Sequence, residues 1–164
     1  MVYVYKDLTT NEEIGSDEFP VVPFFDGKVI GIRSARVPDE DAAEVDDCGN
    51  VGTNVPTVVN VIKAFNLLDM GFADQKAFMA SWKVYISRIT NHLKEAGDEA
   101  KLAAFKEGAM ALTNLIKDNF KSFEFYSVCS EFDHPAVIPA YWQNDSDAGA
   151  IFLYIAEGIK QVKY

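Results

Sequence analysis

The chain has 164 residues, a formal charge of −10, 49% apolar side chains, 12 Phe and 7 Tyr. A chain of this length and apolarity can bury a core without metals or disulfides, which excludes a disordered protein and leads to one domain over residues 1–164. The sequence pI near 4.6 works against a phosphate backbone, whose affinity comes from Lys and Arg displacing counterions, so nucleic acid is not an expected ligand.

Val2 and Val4 alternate with Tyr3 and Tyr5, which predicts a short strand ending at the turn-prone Asp7, Thr9, Thr10 and Asn11. No basic stretch followed by an apolar segment opens the chain, and no window approaches the ~20 apolar residues of a membrane span; a cytoplasmic protein is expected. Phe19–Phe25 and Lys28–Val37 flank Asp26-Gly27, the dipeptide suited to a two-residue turn with positive φ at both central positions. Pro20 and Pro23 cannot donate ladder hydrogen bonds and place the first arm at a sheet edge.

From Pro38 to Pro56 the apolar pattern vanishes while Asp39, Glu40, Asp41, Glu44, Asp46 and Asp47 crowd together, so residues 38–56 read as a mobile acidic surface loop. Val58, Val59, Val61 and Ile62 restore a strand-like run. Phe78, Trp82, Tyr85, Ile86, Ile89 and Leu93 then recur at helical spacing. Gly97 can close that helix in a left-handed cap, and Asp98 can cap a second helix with the stripe Leu102, Phe105, Ala109, Leu112 and Ile116. The two form an antiparallel helical hairpin over 74–119. After Asn119, strands are expected over Phe123–Val128, Ala136–Trp142 and Ile151–Ile155. Strands, helical hairpin, strands is the order of an α+β domain. Residues 72–121 carry 8 basic and 6 acidic side chains, the one net-basic third of the chain.

Catalysis has no candidate constellation. Cys48 and Cys129 form no Cys-x-x-Cys pair; the carboxylates around Cys48 disfavour thiolate, and Cys129 lies in an aromatic, strand-like run without an activating base. His92 and His134 have no Cys or second His at ligand spacing, and no glycine-rich phosphate loop is present.

Several segments together carry a family resemblance. Tyr5-Lys6-Asp7-Leu8, Glu12-Glu13 and Ser16-Asp17 look like the opening pattern of the translationally controlled tumour protein family. Gly49-Asn50 falls where that family has its Gly-Gly-Asn loop signature, and Val59, Val61, Ile62, Leu67 and Phe72 are similar to the segment leading into its helices. Lys83-x-Tyr85-Ile86, Asn119-Phe120-Lys121, Phe125-Tyr126 and Glu157-Gly158-Ile159 also fit. The family's Gly-Glu after its paired aromatics is replaced by Ser127-Val128-Cys129, and its C-terminal cysteine by Val162-Lys163-Tyr164, so a monomer is expected.

The resemblance implies a β-tent, folded β-sheets with a projecting helical hairpin as in Rab-binding chaperones. It implies a non-enzymatic, protein-binding chain that regulates or chaperones guanine-nucleotide-binding proteins, small GTPases of the Rheb type and translation elongation factors, in growth control. The alternative it implies is a calcium-binding, microtubule-associated protein that meets tubulin. Glu13 matches the glutamate the family turns towards the GTPase, with help from Glu12, and both lie in a polar stretch expected to be an exposed loop. Asp39, Glu40, Asp41, Glu44, Asp46 and Asp47 supply oxygens without the order of an EF-hand loop, so calcium binding no tighter than ~10⁻⁴ M is expected and no cofactor is required.

Overall fold

A computed structural model describes residues 2–39, 57–128, 136–143 and 149–163. The acidic loop beyond Asp39, together with Cys48, Cys129 and His134, lies outside them. The elements are β1 (Tyr3–Asp7), β2 (Glu13–Ser16), β3 (Val21–Phe24), β4 (Val29–Arg33), β5 (Arg36–Pro38), β6 (Thr57–Val59), α1 (Asn60–Phe65), β7 (Leu68–Asp69), α2 (Gln75–Ala96), α3 (Glu99–Asp118), β8 (Phe123–Ser127), β9 (Ile138–Tyr141), β10 (Ile151–Ile155) and β11 (Ile159–Lys163). This is the α+β order expected, with β2, β5 and β7 before the hairpin and β11 after it as strands that the apolar periodicity does not indicate.

Three sheets form, all antiparallel: β11-β1-β2, β3-β4-β10-β9-β8-β7, and the pair β5-β6. Strand β10 shows how they are layered. All five of its residues are buried; Ile151, Leu153 and Ile155 face the helical hairpin, while Phe152 and Tyr154 face Tyr5, Ile14 and Val61 on the other side. The period of two along a strand thus divides the core into two clusters with the large sheet between them.

The turn at Asp26-Gly27 forms, and both residues take the expected positive φ, 57° and 84°. The connection is longer than the two residues expected: Phe24 is the last residue paired, with Val29, Phe25 also takes positive φ, 50°, and Lys28 N donates to Phe25 O at 3.2 Å. Pro23 sits in β3, at the edge of its sheet. Two further expectations fail. The second arm does not run unbroken to Val37, because Ser34 donates both N and Oγ to Ala150 O and Ala35 N donates to Asn60 Oδ1. These bonds turn the chain off the large sheet, and β5 pairs with β6 instead. The run Val58–Ile62 is also not one strand: it becomes helical at Asn60. Val61 is fully buried, and Asn66, at φ 52°, caps the helix with its N–H on Ile62 and Lys63 carbonyls, so burial and the left-handed cap override the β preference of Val and Ile.

The hairpin follows the sequence closely. Asp74 accepts from Ala77 N, Gly97 takes φ 75°, and Asp98 accepts from Lys101 N. Phe78, Trp82, Tyr85, Ile89 and Leu93 of α2, with Phe105, Ala109, Leu112 and Ile116 of α3, are buried against the sheet. Ile86 is half-buried at the margin of this cluster. Gly108 lets α3 lie close on the sheet, since a Cβ there would fall 2.9 Å from Lys28 O. Among the described residues no helix is long and apolar enough to cross a membrane.

Candidate interaction site

The segment 7–13 is built around one carboxylate. Asp7 is wholly enclosed, and its Oδ2 accepts from Thr9 N (3.2 Å), Thr9 Oγ1 (2.7 Å), Thr10 N (3.0 Å) and Thr10 Oγ1 (3.1 Å). An aspartate followed by two threonines is a sequence with local hydrogen bonds to offer, and here they fold the chain into a tight turn. Asn11 then takes φ 65°, Asp7 N donates to Glu12 O at 2.9 Å, and the chain enters β2 at Glu13. The turn is held from below as well. Tyr85 of α2 donates its hydroxyl to Asp7 Oδ1 at 3.0 Å, and Arg88 Nη2 lies 3.8 Å from Asp7 Oδ2.

Glu13 is therefore not in an irregular loop. It is the first residue of β2, directly opposite Lys6, at a register shift where Tyr5 faces Gly15 and Lys6 faces Glu13, so that Ile14 is the extra residue of β2. A strand rather than a loop forms because Ile14 is buried and must face the core. Glu13 is exposed and Glu12 half-buried, and Glu12 Oε1 is enclosed without a hydrogen-bond donor among the described residues. The two carboxylates border a groove of about 410 Å³ whose other walls are Ala64, Phe65 and Asn66 at the end of α1 and Val128 after β8. Phe65 is steadied by an edge-on contact with Phe19, centroids 6.3 Å apart. An acidic rim beside an apolar wall can take a basic side chain and seat an apolar one next to it.

The structure brings Glu12 and Glu13 together at this groove. Of the six proposed calcium ligands only Asp39 is described, and it pairs with Lys63, Nζ to Oδ1 2.6 Å. Among the described residues no three His, Cys, Asp or Glu side chains gather into a metal-binding group. His92 is exposed on α2. The wall from α1 was missed because its residues read as a strand; Asn66 after Phe65 is the signal that could have marked a helix end. The Asp7, Tyr85 and Arg88 cluster was missed because it joins positions far apart in sequence.

Burial, then the Asp7 charge and its hydrogen bond, hold the Tyr85 phenol well above its usual pKa. Burial does the same for Tyr154, whose hydroxyl donates to Ile14 O at 2.7 Å. Both folded pKa values exceed the unfolded value of about 10, so the unfolded chain loses these protons first. The contribution of these two phenols to the unfolding free energy is therefore level below pH ~10 and falls above it by about 1.4 kcal/mol per pH unit for each. Urea unfolding on either side of pH ~10 measures the slope. Tyr154→Phe removes one phenol's share, and an unaltered slope in that variant would refute the assignment.

The sequence profile of the translationally controlled tumour protein family matches residues 2–160. The chain is 30% identical to the translationally controlled tumour protein homologue of Yarrowia lipolytica, with 98% of each chain covered. It is 29% identical to that of Plasmodium chabaudi chabaudi, covering 98% of this chain and 99% of the relative. Among solved structures, the translationally controlled tumour-associated protein p23fyp of Schizosaccharomyces pombe superposes with a TM-score of 0.78 at 22% identity, all of both chains being covered. The Caenorhabditis elegans protein of the same name as the family gives 0.64 at 19%, over 100% of this chain and 99% of the other.

Proposed function

The chain belongs to the translationally controlled tumour protein family, and on that premise we propose that it is a non-enzymatic protein-binding module that acts on guanine-nucleotide-binding proteins through the Glu12 and Glu13 groove. One observation carries the reading: two adjacent carboxylates, one exposed and one with an enclosed oxygen lacking a donor, are held beside an apolar wall by a turn that the hairpin braces. A partner's Arg or Lys supplies the donors that Glu12 Oε1 lacks, and the Phe65 side of the groove takes an apolar neighbour. Small GTPases and elongation factors fit this as the partners the family resemblance implies. Cofactors have no part in the reading, since recognition needs only charge and shape.

Glu13→Ala is expected to weaken association with a responsive GTPase by about tenfold and to leave the unfolding midpoint within a degree or so of the parent, because an exposed charge contributes little to the fold and more to a complementary interface. Glu12→Gln, which keeps the shape and removes the charge, should weaken it by a similar factor. Titration calorimetry against the nucleotide-loaded GTPase, beside thermal unfolding, measures both. Undiminished binding by both variants would move the partner surface away from this groove.

A further inference from the structure

A second cavity shares no lining residue with that groove. It has a volume of about 590 Å³ and runs between the end of the helical hairpin, at Leu93, Ala96 and Lys101, and the four consecutive residues Ile159–Val162 of β11. Consecutive strand residues point to opposite faces, so a groove that touches four in a row follows the edge of the strand. Among the described residues that edge is open: β11 pairs with β1 and with no other strand.

The ladder shows which backbone groups face the groove. Leu8 N donates to Gly158 O at 3.1 Å, which flanks the pair Asp7 and Ile159 and makes it a non-hydrogen-bonded pair. The alternation then assigns the ladder bonds to the pairs Lys6 with Lys160 and Val4 with Val162. Ile159, Gln161 and Lys163 direct their N–H and C=O away from β1, and among the described residues no backbone or side-chain group meets them. Opposite β1, the strand therefore offers a regular row of free donors and acceptors.

Charge decides what fits. Across the sheet the row through Lys160 reads Glu13, Lys6, Lys160, so two lysines are neighbours in the ladder, and among the described residues the Lys160 ammonium on the open side meets only the neutral Asn11 Oδ1, at 3.4 Å. The next row reads Ser16, Val4, Val162. Lys101 and Lys163 add positive charge nearby; of the two groove carboxylates, Asp98 is occupied as the cap of α3 and Glu157 precedes the strand. A second copy of β11 would bring its own Lys160 and Lys163 to the same edge, which opposes self-pairing.

We propose that the free edge of β11 is a docking site for an extended acidic segment of another protein, added as an antiparallel strand with a carboxylate opposite Lys160 and an apolar residue opposite Val162. Antiparallel register reverses the order, so the docking segment reads apolar, any residue, acidic. Main-chain hydrogen bonds to Ile159 and Gln161 give the affinity and the Lys160 row gives the selectivity. This surface shares no lining residue with the Glu12 and Glu13 groove.

The probe is a fluorescent, threonine-rich synthetic peptide with valine, threonine and glutamate at its centre, compared by anisotropy with a matched peptide carrying lysine in place of glutamate. The full-length chain is expected to bind the glutamate peptide saturably and about fivefold more tightly than the lysine peptide, the range of one cross-strand charge pair. In Lys160→Glu the preference inverts. In Gln161→Pro both peptides are lost while far-UV circular dichroism stays that of the parent, because the proline removes only an N–H that faces the groove. Equal affinity for the two peptides, no saturable binding, or a preference that Lys160→Glu leaves in place would overturn the proposal.

Discussion

Replacing Trp82 with alanine is expected to lower the unfolding free energy by about 3–5 kcal/mol. The indole is 2% exposed and is enclosed on several sides at once. It stacks on Phe78 with centroids 5.5 Å apart and an interplanar angle of 27°, and leans on Tyr85 at 5.8 Å. Its Nε1 donates to Thr113 Oγ1 at 2.8 Å, and Thr113 in turn donates to Ala109 O at 2.6 Å, so one side chain fastens α2 to α3 as well as filling the space under them. Alanine leaves a cavity lined by rings that cannot collapse, because Phe78 is itself stacked on Phe125 at 4.2 Å. Trp82→Phe keeps much of the volume and loses the hydrogen bond; it should cost about 1–2 kcal/mol. Urea titrations of the three proteins decide it. A loss below about 1 kcal/mol in the alanine variant would mean that the hairpin does not rest on this residue.

The hairpin was legible because its signals are local and agree with one another. Asp74, Gly97 and Asp98 act as caps within a turn of their helices, and the stripe from Phe78 to Leu93 repeats at the period of the helix it builds. Asp26-Gly27 was legible as a turn for the same reason, although the connection it centres also takes in Phe25 and Lys28. Where the outcome rests on a distant partner, local reading fails. Val58, Val59, Val61 and Ile62 look like a strand, yet Asn60 Oδ1 takes the N–H of Ala35, and the burial of Val61 places the next turn of chain against the sheet as a helix. Strand β2 escaped notice because Glu12, Glu13, Gly15 and Ser16 are poor strand formers; Ile14 and pairing with β1 make the strand. Strand β11 is of the same kind: only Ile159 is buried, and the register with β1 holds the remainder.

The candidate site divides along the same line. Glu12 and Glu13 could be named from the family resemblance, but the apolar wall opposite them comes from α1 and Val128, which nothing near residue 12 announces. The six acidic residues proposed for calcium are adjacent in sequence, and the one described among them, Asp39, is turned towards Lys63.

Asp7→Ala is expected to cost about 3–5 kcal/mol, as large an effect as the loss of Trp82, although no apolar contact is at stake. The carboxylate is fully enclosed and receives five hydrogen bonds, two from Thr9, two from Thr10 and one from Tyr85. Removing it leaves the Tyr85 hydroxyl inside the protein with a donor and no acceptor, brings Arg88 beside an empty space, and frees the turn that leads to Glu12. Desolvated donors without acceptors carry most of the penalty. Asp7→Asn separates charge from shape: its amide nitrogen would face donors from Tyr85 or from the threonines, so it should lose about 2–3 kcal/mol rather than recover the parent. Tyr85→Phe removes one donor and its need together and should cost only about 1 kcal/mol. The cluster also ties the hairpin to the groove, so amide hydrogen exchange at Thr9, Thr10 and Glu12 should quicken in Asp7→Ala well beyond what global destabilisation produces, while amides in the centre of α3 follow the global value. If those three amides exchange no faster than the α3 centre, Asp7 supports the fold as a whole and does not set the posture of Glu12 and Glu13.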